Sequence, residues 1–204
     1  MKEYISQIMR GISIDVISPV ISDCFKPSKY PAKPIIAVHS REQRDSVNLI
    51  KSFYVKYPQY RWISFRDMRG VSEAEFSSNL RDCMLSIWMD EKSSFGTYPL
   101  ESMASGVPVM SKTPNLVPEW IENNNGLWID DTIKMQDYIA EFIQNWLEDN
   151  VSDVITNSGI ETAKKFSDFN SFNKNVIEKF EGYNTSRLNL FQEEYNKQLE
   201  TQNI

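Results

Sequence analysis

Short apolar segments alternate with longer helical patterns along most of the chain. The apolar segments are rich in Val, Ile, Met and aromatic residues. They lack a strict alternation of apolar and polar positions, which is typical of strands buried on both faces of a parallel sheet. The predicted strands are residues 34–38, 61–65, 84–88, 107–110 and 126–129.

The segments between and after these strands have helical spacing and recognisable ends. Ser72 and Glu75 have the spacing of a capping box. Gly106 follows a short helix at the position where a left-handed cap is common, and Asp130 and Asp131 are suited to cap the helix after the last strand. The predicted helices are residues 42–56, 72–80, 99–106, 133–148, 151–166, 169–180 and 186–199.

Strands that alternate with helices predict an α/β fold with a Rossmann-like parallel sheet sandwiched by helices, followed by a helical C-terminal tail. Prolines at positions 27, 31 and 34 mark a loop before the first strand. We therefore expect an N-terminal segment with a linker (1–33), a Rossmann-like domain (34–182) and a C-terminal amphipathic helix (183–204). The apolar stripe of that last helix, Leu188, Phe191, Tyr195 and Leu199, also suits self-packing or a dimer contact.

Composition narrows the class of protein. The chain has 204 residues, 41% hydrophobic and 25% charged, which suits a globular domain with its own core. A net charge of −6 without a long basic run argues against a nucleic-acid partner. Cys24 and Cys83 lack the spacing of a disulfide framework or a zinc site, so we expect reduced thiols and no metal.

The most apolar N-terminal stretch, residues 11–21, is interrupted by Asp15 and Pro19. It is too short to span a bilayer and lacks the shape of a signal peptide. We therefore expect a cytoplasmic protein without an integral membrane segment, and a peripheral membrane contact stays open.

Ligands of open parallel sheets bind outside the carboxyl ends of the strands, which directs attention to loops 38–44 and 88–96. In the second loop, Gly96 allows close approach of the backbone, and Pro99 suits the first turn of a helix. The free N–H groups of such a helix start attract anions such as a pyrophosphate, and Glu101 lies just inside that helix. From spacing alone, a plain strand–turn–helix crossover explains the pattern equally well.

The segment 93–127 continues this pattern with Phe95-Gly96, Pro99-Leu100-Glu101, Met103-Ala104, Gly106, Pro108-Val109, Pro118-Glu119 and Asn125-Gly126. In the order and spacing of these residues it resembles the retaining glycosyltransferases of the two-domain GT-B fold, family four. Residues 16–28 resemble the interdomain linker of that family, and 35–53 its first C-terminal-domain strand and helix. The resemblance implies a UDP- or GDP-sugar donor, no metal or other cofactor, and transfer of a hexose to an acceptor hydroxyl.

The resemblance also assigns roles to single residues. Glu101 matches the glutamate that binds the ribose. His39 and Arg44 align with an Arg and a Lys that meet the donor diphosphate, and a guanidinium can hold phosphate oxygens in a bidentate way. Arg41 is a further candidate because it is three residues from Arg44 on the same helical face. Ser93 stands where the family has a first glutamate beside the donor sugar.

The candidate catalytic residues are therefore Arg44, His39 and Ser93, with His39 alternatively a structural histidine. Ser94, Phe95, Gly96 and Thr97 are expected to contact the donor, chiefly through backbone and hydroxyl donors, and segment 65–70 to meet the base. Asp90 is interpreted as a loop or capping residue, and the aromatic positions, Trp88 and Trp120 among them, as packing.

Two functions follow from these residues. The first is the donor-binding domain of a nucleotide-sugar-dependent glycosyltransferase. It would need an N-terminal GT-B domain or a partner chain, because residues 1–21 are too short to form that domain. The second is a binding or structural module that kept the fold and lost catalysis, which Ser93 in place of the usual glutamate favours.

Overall fold

The computed structural model describes residues 17–90, 95–151 and 153–202, together with the isolated positions 5, 8 and 15. The chain forms two compact units. One is Ile21–Ser167, and the other combines Met1–Val20 with Asp168–Ile204.

The first unit contains a parallel sheet of five strands in the order β2-β1-β3-β4-β5. This sheet, flanked by helices, confirms the predicted Rossmann-like α/β fold. The second strand begins later than predicted, because Pro58–Tyr60 form a 3₁₀ turn and pairing with β1 begins only at Ser64. The strands are β1 (Lys33–His39), β2 (Ser64–Asp67), β3 (Cys83–Trp88), β4 (Val109–Lys112) and β5 (Leu127–Ile129).

Within the described residues, five α-helices accompany the sheet, and two of their ends follow from local sequence. The Ser72 hydroxyl accepts from the Glu75 N–H at 3.3 Å, as the capping-box spacing predicts. Gly106 has a φ of +72°. Its N–H donates to Met103 O at 2.9 Å, and the Val107 N–H donates to Ser102 O at 3.0 Å, which is a Schellman cap. The helices are α1 (Gln43–Lys56), α2 (Glu73–Leu80), α3 (Thr97–Ala104), α4 (Met135–Leu147) and α5 (Asp153–Lys164).

The helix after β5 starts later than predicted. The carboxylate of Asp131 accepts from the Ile133 N–H at 2.9 Å, so the chain makes a 3₁₀ turn over Thr132–Lys134 before α4 begins. The predicted cap is present, but it closes this turn rather than the α-helix itself.

The sheet is buried on both faces, and each face has its own apolar cluster. Helices α1 and α4 cover one face through residues such as Leu49, Phe53 and Ile143. Helices α2, α3 and α5 cover the other through residues such as Phe76 and Leu100. From β1 the chain runs to β2 on one side and then returns to β3 on the other, so the strand order reverses between β1 and β3.

In the second unit, residues 169–202 form one continuous helix, α6 (Phe169–Gln202), where the sequence predicted two. The predicted break at 181–185 is wrong, because the helix is continuous there. The hydroxyls of Thr185 and Ser186 donate to the carbonyls of Glu181 and Gly182, both at 2.9 Å, so neither hydroxyl caps a new helix. A glycine inside a helix costs only about 1 kcal/mol, which is too little to end it. Among the described residues, no helix is both long and apolar enough to cross a membrane.

Candidate functional site

The two loops singled out in the sequence meet at the carboxyl ends of β1 and β3. His39, the last residue of β1, pairs in register with Trp88, the last residue of β3. The Met89 N–H then donates to His39 O at 3.0 Å, which continues the pairing into the loops. The strand order reverses between these two strands, and the surface at such a reversal is the usual ligand site of open α/β sheets. We call the surface at the carboxyl ends of β1 and β3 the crevice.

Asp90 is the centre of a charged cluster in this crevice. Its side chain is only 9% exposed, and one carboxylate oxygen accepts from the Arg41 N–H at 2.9 Å. The other oxygen lies 3.5 Å from Arg41 Nε and 3.6 Å from His39 Nδ1. Asp90 thus ties the loop after β3 to the loop after β1. Sequence reasoning missed this role, although the position of Asp90 directly after a buried strand was the available signal.

Arg41 reaches the crevice by a different route from the one expected. It lies in the turn before α1, which begins only at Gln43, so the same-face argument with Arg44 is wrong. Arg44 is the second residue of α1 and is exposed at the start of that helix.

His39 is held in the crevice by stacking. Its ring packs on Tyr98 of α3, with centroids 4.4 Å apart and planes inclined by 23°. Burial lowers the pKa of His39, and the nearby carboxylates of Asp90 and Asp67 oppose that shift. Within the described part of the chain, its Nδ1 is buried and has no hydrogen-bond partner. These surroundings favour the neutral form of the imidazole, whereas the resembled glycosyltransferases have an arginine at the aligned position.

Gly96 begins α3 in a conformation that few other residues tolerate. Its φ is +74°, and a Cβ at this position would lie 2.8 Å from the Trp88 ring. The preceding carbonyl, that of Phe95, accepts from the Trp120 indole N–H at 2.7 Å. Trp88 and Trp120, for which the sequence indicated only packing, thus fix the entry to the helix, where Thr97 is the first residue.

Glu101 is half-buried on α3. Burial, and secondly the carboxylate of Glu73, raise its pKa to about 7. Near neutral pH the group therefore exists in both forms, and it can accept or donate a hydrogen bond. Glu73 itself is the first residue of α2 and accepts from the Cys24 thiol at 3.5 Å.

Segment 65–70 was expected to contact the nucleotide base, but its two arginines have different partners. The Arg66 guanidinium donates to the main-chain and side-chain oxygens of Asn79, both at 3.1 Å, which directs it to the end of α2. Asp67 and Arg69 form an ion pair at the carboxyl end of β2, where Arg69 lowers the pKa of Asp67. Gly70 follows with a φ of +71°.

Ser93 and Ser94 lie outside the described residues. The structure therefore brings together His39, Arg41 and the Phe95–Gly96–Thr97 start of α3, and it locates Glu101 one turn further along that helix. In the described ranges, no group of three His, Cys, Asp or Glu side chains is arranged to hold a metal ion.

No family model matches the chain. The Alpha-1,6-glucosyltransferase of Actinobacillus pleuropneumoniae serotype 7 (strain AP76) is 31% identical over 121 residues, which is 57% of this chain and 37% of that protein. The match thus spans little more than a third of the relative's length.

Solved structures with low sequence identity share the fold. The C-terminal domain of a glycosyl transferase group 1 family protein from Francisella tularensis has a TM-score of 0.52 at 16% identity, covering 72% of this chain and 97% of that one. Sucrose-phosphate synthase from Thermosynechococcus elongatus has a TM-score of 0.65 at 13% identity, covering 91% and 57%. Anabaena Alr3699/HepE, solved with UDP-glucose, has a TM-score of 0.52 at 16% identity, covering 72% and 40%. The chain therefore has the Rossmann-like fold of the C-terminal domain of GT-B glycosyltransferases.

Proposed function

We propose that this chain is the donor-binding domain of a glycosyltransferase that uses a nucleotide-diphosphate sugar. The observation that carries the proposal is the stacking of His39 on Tyr98, since it joins the end of β1 to the first turn of α3. The sequence resemblance independently implies that His39 and the start of α3 meet the donor diphosphate. The 31% identity to a glucosyltransferase supports the same function.

The chemistry that fits this crevice is stabilisation of a leaving group. When the bond between the sugar and the diphosphate breaks, negative charge develops on the diphosphate oxygens. The N–H groups at the start of α3 and the guanidinium groups of Arg41 and Arg44 are the donors suited to that charge. His39 gains affinity for a proton when an anion lies next to it, so it becomes a further donor in the bound state.

Glu101 is proposed to bind the ribose of the nucleotide. A half-buried carboxyl with a pKa of about 7 can pair with vicinal hydroxyls in either protonation state. Its place one turn after the helix start is consistent with a nucleoside on the α3 face of the sheet.

Transfer of a hexose with retention, through the family-four mechanism, is part of the proposal and rests on the sequence resemblance. The glucosyltransferase relative suggests glucose as the hexose. A UDP- or GDP-sugar is the donor, and no other cofactor is proposed. Acceptor contacts would come from an N-terminal GT-B domain, in the same polypeptide or in a partner chain, because this chain matches only 37% of that relative.

A second candidate is a domain that binds the nucleotide sugar without transferring it. The observation in its favour is Ser93, which stands where the resembled family has a glutamate beside the donor sugar. Loss of that carboxylate leaves the proposed diphosphate and ribose contacts intact, so the domain can bind the nucleotide sugar without transferring its hexose.

Thermal unfolding with nucleotides tests the shared part of both candidates. UDP or GDP at a saturating concentration should raise the Tm, because a ligand that binds only the folded state stabilises it. Arg44→Ala and Glu101→Ala should remove most of the rise, whereas Lys51→Ala on α1 and Glu141→Ala on α4 should keep it. Radiolabelled transfer from UDP-glucose, assayed with the full-length protein or partner chain, then distinguishes the enzyme from the binding module.

A further inference from the structure

A cleft of about 430 Å³ opens next to the proposed donor site, on the opposite face of the sheet from α3. It lies between α1 and the start of α4, at the carboxyl ends of β3 and β4. Its floor is apolar and its rim is polar. The floor is the apolar part of the lining, namely Leu49, Trp88, Met89 and Met135, and the rim is the polar part, namely Asp45, Asn48, Ser52, Lys112 and Gln136. We call it the α1–α4 cleft.

The polar rim follows from the spacing of residues along α1. Asp45, Asn48 and Ser52 recur at i, i+3 and i+7, so they share one face of the helix. The buried face of the same helix carries Leu49 and Phe53. The polar face thus borders the apolar floor along two turns of α1, which gives the cleft both kinds of surface.

The two helices are connected across the cleft by side chains. The Gln136 amide donates to the Ser52 hydroxyl at 2.8 Å, and that hydroxyl donates to Leu49 O at 2.9 Å. These bonds hold the rim of α1 and the first turn of α4 at a fixed separation. A ligand therefore meets a formed cleft, which is typical of small-molecule sites.

The lining chemistry suits a neutral ligand rather than an anion. Among the described residues, the two charged members of the lining are Asp45 and Lys112, which have opposite signs. A phosphate group needs a surplus of positive charge, and this lining has none. Amides, a hydroxyl and an apolar floor match a pyranose ring, which has hydroxyls at its edge and C–H groups on its faces.

The cleft adjoins the proposed donor site through Met89. This residue lines the floor, and its N–H donates to the carbonyl of His39 at 3.0 Å. Glu101, the proposed ribose anchor, lies on the other face of the sheet, on α3. A donor whose ribose is at Glu101 and whose diphosphate is at His39 therefore points its far end towards the cleft.

We infer that the α1–α4 cleft binds a pyranose unit, and this inference rests on the proposed function. Two sources have this chemistry, namely the hexose of the donor and one unit of a saccharide acceptor whose remaining contacts come from the proposed N-terminal GT-B domain. A volume of about 430 Å³ lies within the usual range of ligand sites, roughly 300–1,000 Å³.

Methionine-methyl NMR gives a site-specific test, because Met89 and Met135 line the cleft whereas Met68 and Met103 are buried on the other face. Protein labelled at the ¹³C-methyl groups of methionine is titrated with UDP, with UDP-glucose, and with methyl α-D-glucopyranoside in the presence of UDP. If UDP-glucose shifts the methyl resonances of Met89 and Met135 more than UDP alone does, the cleft binds the hexose of the donor. If the glucoside shifts these resonances, the cleft binds an acceptor saccharide. If the resonances stay unchanged in both titrations, the inference is overturned.

Substitutions separate recognition in the cleft from an indirect effect. Asn48→Ala and Gln136→Ala should each lower the affinity for the ligand that shifts the two methyl resonances by about three- to tenfold, as expected when one hydrogen bond is lost. Asn145→Ala, on α4 outside the cleft lining, should leave it unchanged. Equal affinities in all three variants contradict the inference.

The proposed function fails by a different readout. If UDP raises the Tm but no sugar shifts the Met89 and Met135 methyl resonances, the saccharide site in the cleft is contradicted and nucleotide binding is retained. If the glucoside shifts these methyl resonances but UDP leaves the Tm unchanged, nucleotide binding is contradicted and the saccharide site is retained.

Discussion

The imidazole of His39 stacks on the phenol ring of Tyr98, with ring centroids 4.4 Å apart. The Tyr98 ring is buried, and its hydroxyl accepts from the Ser86 hydroxyl at 2.7 Å. The buried network below Tyr98 thus fixes the position of His39 above it. The end of β1 and the start of α3, which are far apart in sequence, form one surface for this reason.

The chain's one histidine gives a direct probe of the crevice. Burial lowers the pKa of His39, so its C–H resonances should titrate below the ordinary value of about 6.5. The folded protein favours the neutral form, so the stability that depends on it is present above pH 6.5 and declines as the pH falls below it. Saturating UDP should raise this pKa, because an adjacent anion stabilises imidazolium. An unchanged titration with UDP bound would place the diphosphate elsewhere.

Gly96→Ala should destabilise the fold by about 2–5 kcal/mol. Left-handed backbone costs about 1–2 kcal/mol for alanine, and overpacking against Trp88 adds about 1–3 kcal/mol. Gly70→Ala is the matched control, since its φ is also positive and a Cβ there meets nothing within 4 Å. Chemical denaturation should show a loss of only about 1–2 kcal/mol in that variant. Equal losses would show that contact with Trp88 is unimportant.

Trp120→Phe should weaken nucleotide binding from outside the crevice. It removes the indole N–H that donates to the Phe95 carbonyl, and the freed carbonyl no longer fixes the start of α3. We expect a loss of about 1–3 kcal/mol in stability and a smaller UDP-induced rise in Tm. Trp128→Phe also loses indole hydrogen bonds, to Glu122 and Asn125, but should keep the UDP response. A full response in Trp120→Phe would refute the positioning role.

Glu101→Gln should change the pH dependence of stability. Burial and Glu73 raise the pKa of Glu101 to about 7 in the folded protein, so the fold favours the protonated form. Stability should therefore fall as the pH rises from about 4.5 through 7, and the variant should lose that slope. At pH 8 the variant should be more stable than the parent, by an amount of the order of 2–3 kcal/mol. Urea denaturation at pH 5 and pH 8, with Glu141→Gln as the exposed control, measures the difference.

The sequence was sufficient for the sheet, apart from the start of β2, because buried parallel strands are continuous apolar runs, as in β3. It was also sufficient for the helix ends at Ser72 and Gly106, where one side chain or one glycine decides the geometry locally. The resemblance placed His39 and Gly96 in loops that the structure brings to the same crevice.

Contacts between distant segments could not be predicted in the same way. Asp90 gains its position from the register of β3 against β1, which no local pattern encodes. Trp120 donates a hydrogen bond to the Phe95 carbonyl, 25 residues away in the sequence. From the sequence alone, its indole could equally pack in the core without this bond. The break predicted in α6 is wrong because Gly182 does not end the helix, and nearby hydroxyls bond within it.

Calorimetric titration with UDP tests the central claim most directly, since it measures donor binding without requiring an acceptor or a second domain. We expect one UDP bound per chain, with affinity lost in Glu101→Ala and Arg44→Ala and kept in Lys51→Ala. GDP takes the place of UDP if the base is guanine. Absence of binding by both nucleotides at millimolar concentration would contradict the proposal that this chain is a donor-binding domain.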